Sequence, residues 1–196
     1  MRDCTGRYQY VASAENVTLP ATDGLLRIMG SIVVQAQTDA EYAAARALFK
    51  EYAALLGVDL GFQGFTAELN ELNTMYGPPA GVLLLARGDS DFIGCIGVRR
   101  LSADCCEMKR LYVQGSARGG RVGRTLVLAA ITSAKSIGYK RMLLDTLADM
   151  TAARRLYTAL GFSQCEPYRH NPIPGTTFMA LDLDEKLPAG RADRDS

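Results

Sequence analysis

The chain has 196 residues, 48% of them apolar and 22% charged, which is long enough for one real core and falls in the ordinary globular class. Its formal net charge of +1 supplies no global basic field, so nucleic acid is not an expected partner. No long apolar run and no charged-then-apolar leader occurs, which predicts no membrane association and no export. The five cysteines show no CxxC and no metal-ligand spacing with the single histidine, His170; no metal and no disulfide is expected, and a reducing cytoplasm fits best.

Residues 1–30 lack sustained periodicity and are broken by Pro20 and Gly24, so they read as a weakly structured N-terminal extension. A small strand or helix docking on the core is the alternative. The main domain is assigned to residues 31–184 and a charged, frayed tail to 185–196. The first clear strand covers 32–37. Thr38 to Glu41 is a capping box, which starts a helix ending at Gly57 with Tyr42, Ala45, Leu48, Phe49, Tyr52 and Leu56 on its apolar face. A short helix over 66–75 follows, ended by Gly77-Pro78-Pro79. Strands at 82–87, 92–100 and 106–113, separated by turn chemistry, predict an antiparallel meander.

Beyond them the pattern predicts a helix over 121–137, a strand over 141–146, a helix over 151–160 and strands over 162–168 and 176–183. The strand–helix–strand crossover from 106 to 146 places its two strands parallel. The order β-α-α-β-β-β-α-β-α-β-β gives an α/β (α+β) layer with a mixed sheet.

The most telling stretch runs from Glu107 to Arg124. A strand enters a loop holding Gly115, Gly119, Gly120 and Gly123, and an apolar helical pattern starts at Val122. A glycine-rich turn before a helix N-terminus makes an anion site, because free backbone N–H groups and the helix dipole both favour negative charge. Arg118, Arg121 and Arg124 add positive charge at that end. The pattern points to a phosphate-bearing ligand.

On these residues the chain resembles the GNAT superfamily of N-acetyltransferases. The family's acyl-CoA loop, Arg/Gln-x-x-Gly-x-Gly/Ala, has its first and last members in Arg118-Gly-Gly-Arg-Val-Gly123. Ala153-Arg-Arg-Leu-Tyr157-Thr-Ala-Leu-Gly-Phe162 follows the family's A-x-x-L-Y-x-x-x-G-F. The element order agrees over 32–183. Arg121 stands where the family usually has glycine, and Met150 where many members carry a cofactor-contacting asparagine.

The resemblance implies a mostly antiparallel sheet of six to seven strands with helices on both faces and a splayed central strand pair. It also implies acetyl-CoA as acyl donor, attack by a primary amine of a small molecule or peptide, and room for a homodimer. The cofactor site is expected at Arg118, Gly119, Gly120, Arg121, Val122, Gly123 and Arg124. The pantetheine arm is expected along Leu111, Tyr112 and Val113, as an added strand would lie.

Glu107 is the candidate general base, in a half-dry cleft that would raise its pKa, with an ion pair to Lys109 as the plainer role and Asp145 as reserve. Tyr157 is the candidate acid for the leaving thiolate. Phe62, Gln63, Phe65, Arg169 and Asn171 are the candidate acceptor contacts, and Arg169 would suit an acceptor carboxylate, such as that of an amino acid. His170, on a loop, is a weaker candidate. Two other classes compete. One is a non-catalytic acyl-CoA-binding sensor or interaction protein, favoured by Arg121 and Met150. The other is a nucleotide-binding protein, which lacks a P-loop ending and an acidic ribose reader.

Overall fold

A computed structural model of the chain describes residues 25–28, 31–119 and 121–184. Strands β1 (Leu25–Ile28), β2 (Ser31–Gln35), β3 (Val82–Arg87), β4 (Phe92–Arg100), β5 (Cys105–Val113), β6 (Arg141–Thr146), β7 (Ser163–Gln164) and β8 (Thr177–Asp182) form one sheet in the order β1-β2-β3-β4-β5-β6-β8-β7. The strand count exceeds the expected six to seven because β1 pairs antiparallel with β2. Part of the segment assigned to the extension therefore joins the sheet, as the docking alternative had it. Residues 1–24 and the tail from 185 lie outside the described residues.

Helix α1 (Asp39–Leu56) begins where the capping box predicts. Thr38 Oγ1 accepts from the Glu41 N–H at 3.3 Å, and Glu41 Oε2 accepts from the Thr38 N–H at 2.9 Å. Gly57 ends it at φ 63°, a left-handed turn that suits glycine. The single helix expected over 66–75 is two, α2 (Phe65–Asn70) and α3 (Leu72–Tyr76), which meet at Glu71. Helices α4 (Val122–Ile137) and α5 (Thr151–Ala159) follow the predicted pattern.

The helices cover both faces of the sheet. On one face Val82, Leu84, Ile96, Val98, Met108, Met142 and Leu144 pack against Leu126, Ala130 and Ile131 of α4. On the other, Leu83, Leu85 and Cys95 pack against Leu48 and Phe49 of α1 and Leu72 and Tyr76 of α3. The unbroken apolar run of β3 is thus buried from both sides. Each fully buried leucine here contributes roughly 1.5–3 kcal/mol by leaving water.

The meander β2-β3-β4-β5 is antiparallel, and β5 lies parallel to β6, both as predicted. The β5–β6 pairing is short: it joins Cys105, Cys106 and Glu107 to Arg141, Met142 and Leu143, and no pair follows. Beyond Glu107 the two strands part, as the resemblance implied. The strand expected over 162–168 shrinks to Ser163–Gln164, with one further bond from the Cys165 N–H to the Phe178 carbonyl. Pro167 supplies no N–H to continue the ladder, and the chain after it turns inward over β5 and β6.

Candidate active site

Alternation along β5 sends Cys106 and Met108 to the α4 face and Glu107 and Lys109 to the face of α1–α3. Arg110 should then point back toward α4, but it does not. Between the pairs Cys95–Tyr112 and Gly97–Lys109, two residues of β5 oppose one of β4, a β-bulge with Arg110 at φ 58°. Lys109 and Arg110 thereby share a face. The Arg110 guanidinium donates through Nε and Nη2 to both oxygens of Glu68 on α2, and the Tyr76 hydroxyl donates to the same carboxylate. A side chain at Gly97 would strike the Tyr76 ring at 2.6 Å, so glycine there lets the ring lie against β4. Burial pushes the Glu68 carboxyl up, but the Arg110 bonds and charge and the Tyr76 hydroxyl together hold it below its ordinary pKa.

Where β5 and β6 part, a cleft of about 580 Å³, open to solvent, is walled by Lys109, Leu111, Asp145, Thr146, Met150 and Tyr157. Tyr52 and Leu56 of α1 and Gln63 of the 3₁₀ turn Gly61–Gln63 close its other side. Glu107 stands behind this wall. Its Oε2 accepts from Arg99 (Nη2 at 2.7 Å), and its Oε1 accepts from the Tyr168 hydroxyl at 2.9 Å with Arg169 Nη1 at 3.3 Å. The half-dry setting expected for Glu107 is instead a fully buried one, 1% exposed and ringed by cations.

Lys109 Nζ lies 3.9 Å from Glu107 Oε1 and donates to Gln63 Oε1 at 3.0 Å. Burial, with Arg110, Arg169 and Arg99 nearby and Glu107 opposing, lowers the Lys109 pKa to about 7. Asp145 sits on the cleft wall; its Oδ1 accepts from Arg169 and its Oδ2 from Asn171 Nδ2 at 2.8 Å.

Arg169 pairs through Nη1 and Nη2 with Glu107 and Asp145, and Asn171 with Asp145, while Arg169 Nε is buried with no hydrogen-bond partner among the described residues. Gln63 does face the cleft. Phe65 packs against the Arg110 guanidinium, 5.0 Å from its centre, while Phe62 is 40% exposed and not part of the cleft wall. His170 is exposed. Tyr157 is 6% exposed with its ring 5.7 Å from that of Phe162, and burial raises its pKa, so the phenol keeps its proton.

At the other end of β5, Arg118 Nε donates to the Val113 carbonyl at 3.0 Å and ties the glycine loop to the strand. Leu111 and Val113 pack toward α4, while the Tyr112 hydroxyl on the opposite face donates to Glu51. Gly119 turns left-handed at φ 84°, and Gly120 lies outside the described residues. Arg121 adopts φ 62°, a left-handed conformation that glycine takes without strain and that costs an arginine about 1–2 kcal/mol. The first bond within α4 runs from the Thr125 N–H to the Arg121 carbonyl at 3.0 Å. The N–H groups of Val122, Gly123 and Arg124 precede it and point out of the helix end.

Sequence reasoning missed Arg99, Glu68 and the inward turn of Tyr168. The register signal for Arg99 is its position directly across from Glu107 on β4. Glu68 is an acid on the inward side of a short apolar helix, which calls for a buried partner.

The sequence model of the Acetyltransferase (GNAT) family matches residues 45–162, and the chain belongs to that family as an N-acetyltransferase. An uncharacterized N-acetyltransferase of Schizosaccharomyces pombe is 42% identical over 140 residues, covering 70% of this chain and 86% of its own length. An acetyltransferase structure from Streptococcus agalactiae shares the fold with a TM-score of 0.65 at 17% identity, over 79% of this chain and 99% of that one. A putative acetyltransferase of Salmonella typhimurium with its cofactor acetyl-CoA matches with a TM-score of 0.55 at 20% identity, over 83% and 99%.

Proposed function

We propose that the chain moves an acetyl group from acetyl-CoA to a primary amine of a small molecule or peptide, by direct attack on the thioester. The parting of β5 from β6 after Glu107 and Leu143 carries this reading, since it opens a cleft whose wall bears both Asp145 and Tyr157. The Salmonella relative's acetyl-CoA supports the choice of donor.

The free N–H groups at the start of α4, with Arg118, Arg121 and Arg124, hold the pyrophosphate. The pantetheine arm runs beside Leu111, Tyr112 and Val113 as an added strand. The amine nitrogen attacks the thioester carbon, and its proton passes to Asp145, the carboxylate on the cleft wall. As the C–S bond breaks, Tyr157 gives its proton to the sulfur. Glu107 acts from behind, holding Arg169 and Tyr168 in place. Four free cysteines among the described residues fit a reducing cytoplasm.

The test pairs calorimetric titration of acetyl-CoA, with dephospho-CoA and ATP as controls, with thiol release over a panel of amines. Micromolar acetyl-CoA binding with amine-dependent thiol release is expected. Binding without release by any amine would make the chain an acyl-CoA sensor instead. Competition by ATP would point to a nucleotide protein.

A further inference from the structure

The charged side chains that line or back the cleft do not balance. Four are basic, Arg99, Lys109, Arg110 and Arg169, and three are acidic, Glu68, Glu107 and Asp145. Each arginine has a carboxylate oxygen within hydrogen-bonding distance: Arg99 has Glu107, Arg110 has Glu68, and Arg169 has Asp145. Lys109 does not. Its carboxylate neighbour stands 3.9 Å away and already serves Arg99, Tyr168 and Arg169, and its one close partner is the neutral carbonyl oxygen of Gln63. The Lys109 side chain is only 2% exposed, so water compensates little of its charge. Both Lys109 and Gln63 line the cleft. Because Gln63 Oε1 accepts from Lys109, its Nε2 is left as a second donor, with no hydrogen bond among the described residues.

We propose that Lys109 and the Gln63 amide hold a carboxylate of the acceptor, so that the substrates are amino acids rather than plain amines. This rests on the N-acetyltransferase reading and names its substrate class. It moves the carboxylate contact from Arg169, whose charge Glu107 and Asp145 already match, to the cation that the fold leaves without a full counter-charge. The lowered pKa of Lys109 reflects that vacancy, since burial and Arg110, Arg169 and Arg99 outweigh Glu107. Tyr168 faces Glu107 and stays protonated, and Asp145 is ion-paired with Arg169. An incoming carboxylate therefore makes Lys109 take up a proton.

The experiment titrates α- and ω-amino acids, each paired with its carboxamide, onto the CoA-saturated protein at pH 8 in two buffers of different ionisation enthalpy. Acetyl transfer to the same compounds is measured in parallel. Carboxylates should bind and react at least about tenfold better than their amides, with uptake of about one proton on binding. Lys109→Met should abolish both the preference and the proton uptake. Lys109→Arg, always charged, should keep the preference and lose the uptake. Amides that bind as well as the acids, a preference that survives Lys109→Met, or no binding by any amino acid would each overturn the proposal. Carboxylate binding with proton uptake but no acetyl transfer would leave the proposal standing and sink the transferase reading instead.

Discussion

Glu107 and Asp145, on the two strands that part, are joined by one guanidinium. Arg169 reaches Glu107 Oε1 through Nη1 at 3.3 Å and Asp145 Oδ1 through Nη2 at 2.5 Å. The bridge crosses the gap in the sheet just where no backbone pair spans it, after Glu107 and Leu143. It divides two acids into two tasks. Glu107, buried behind Lys109, holds the bridge; Asp145, on the cleft wall, is the acid that the proposed mechanism uses.

That division predicts opposite signatures for two neutral substitutions. Asp145→Asn should lower kcat about 10²-fold, as loss of a proton acceptor does, and cost less stability than loss of Glu107, since Glu107 still faces Arg169. Glu107→Ala should cost about 3 kcal/mol of stability, because Arg99 and Arg169 lose a buried counter-charge. Steady-state kinetics and urea unfolding on both variants decide the matter. A stable Glu107→Ala protein with lost turnover would return the base role to Glu107.

Tyr157→Phe keeps the ring against Phe162 and removes only the hydroxyl. We expect kcat at saturating substrate to fall about 10²-fold, with acetyl-CoA affinity unchanged by calorimetry. Unchanged turnover would take the acid role away from Tyr157.

Much of this was legible in the sequence because it is local. The Thr38 capping box, the glycine stop at Gly57 and the meander strands are written in short-range patterns and appear in the fold as read. Tyr157 and Gln63 line the cleft. The errors are long-range. Period-two alternation cannot foresee the bulge that turns Arg110 toward Glu68, 42 residues away in the chain, because the extra residue shows only in the register with β4. The pairing of Arg169 and Asn171 with Asp145 was equally out of reach, because contacts of a loop leave no periodic trace.

Lys109 should make stability depend on pH in a set direction. Its folded pKa of about 7 lies below the ordinary lysine value of ~10.4, so between them the unfolded chain binds the extra proton. The contribution of Lys109 to stability therefore rises with pH from about 7 toward 10, and its penalty is complete below 7. Lys109→Met should be more stable than the parent at pH 6, and the gap should narrow by pH 9. Urea melts at the two pH values measure it; a gap that is flat or widens with pH would contradict the burial of an under-compensated lysine.

The Glu68–Arg110 pair invites a double-mutant cycle. Both side chains are buried, at 1% and 3%, and Arg110 holds φ 58°, where glycine rests without strain. Glu68→Ala alone leaves a charged guanidinium without its partner and should cost about 3–5 kcal/mol. Arg110→Gly alone strands the carboxylate in the same way, though relief of the left-handed backbone returns about 1 kcal/mol. The double variant removes both charges together, so its loss should fall short of the sum of the singles by about 2 kcal/mol or more. Acid adds a second check. The Glu68 pKa is lowered in the folded chain, so the pair's contribution is present above the unfolded carboxyl value and lost as pH falls through the folded one. The parent should therefore lose stability in acid more steeply than the double variant. Additive losses and parallel acid curves would mean that the bulge is held by packing of Phe65, Tyr52 and Tyr76 rather than by charge.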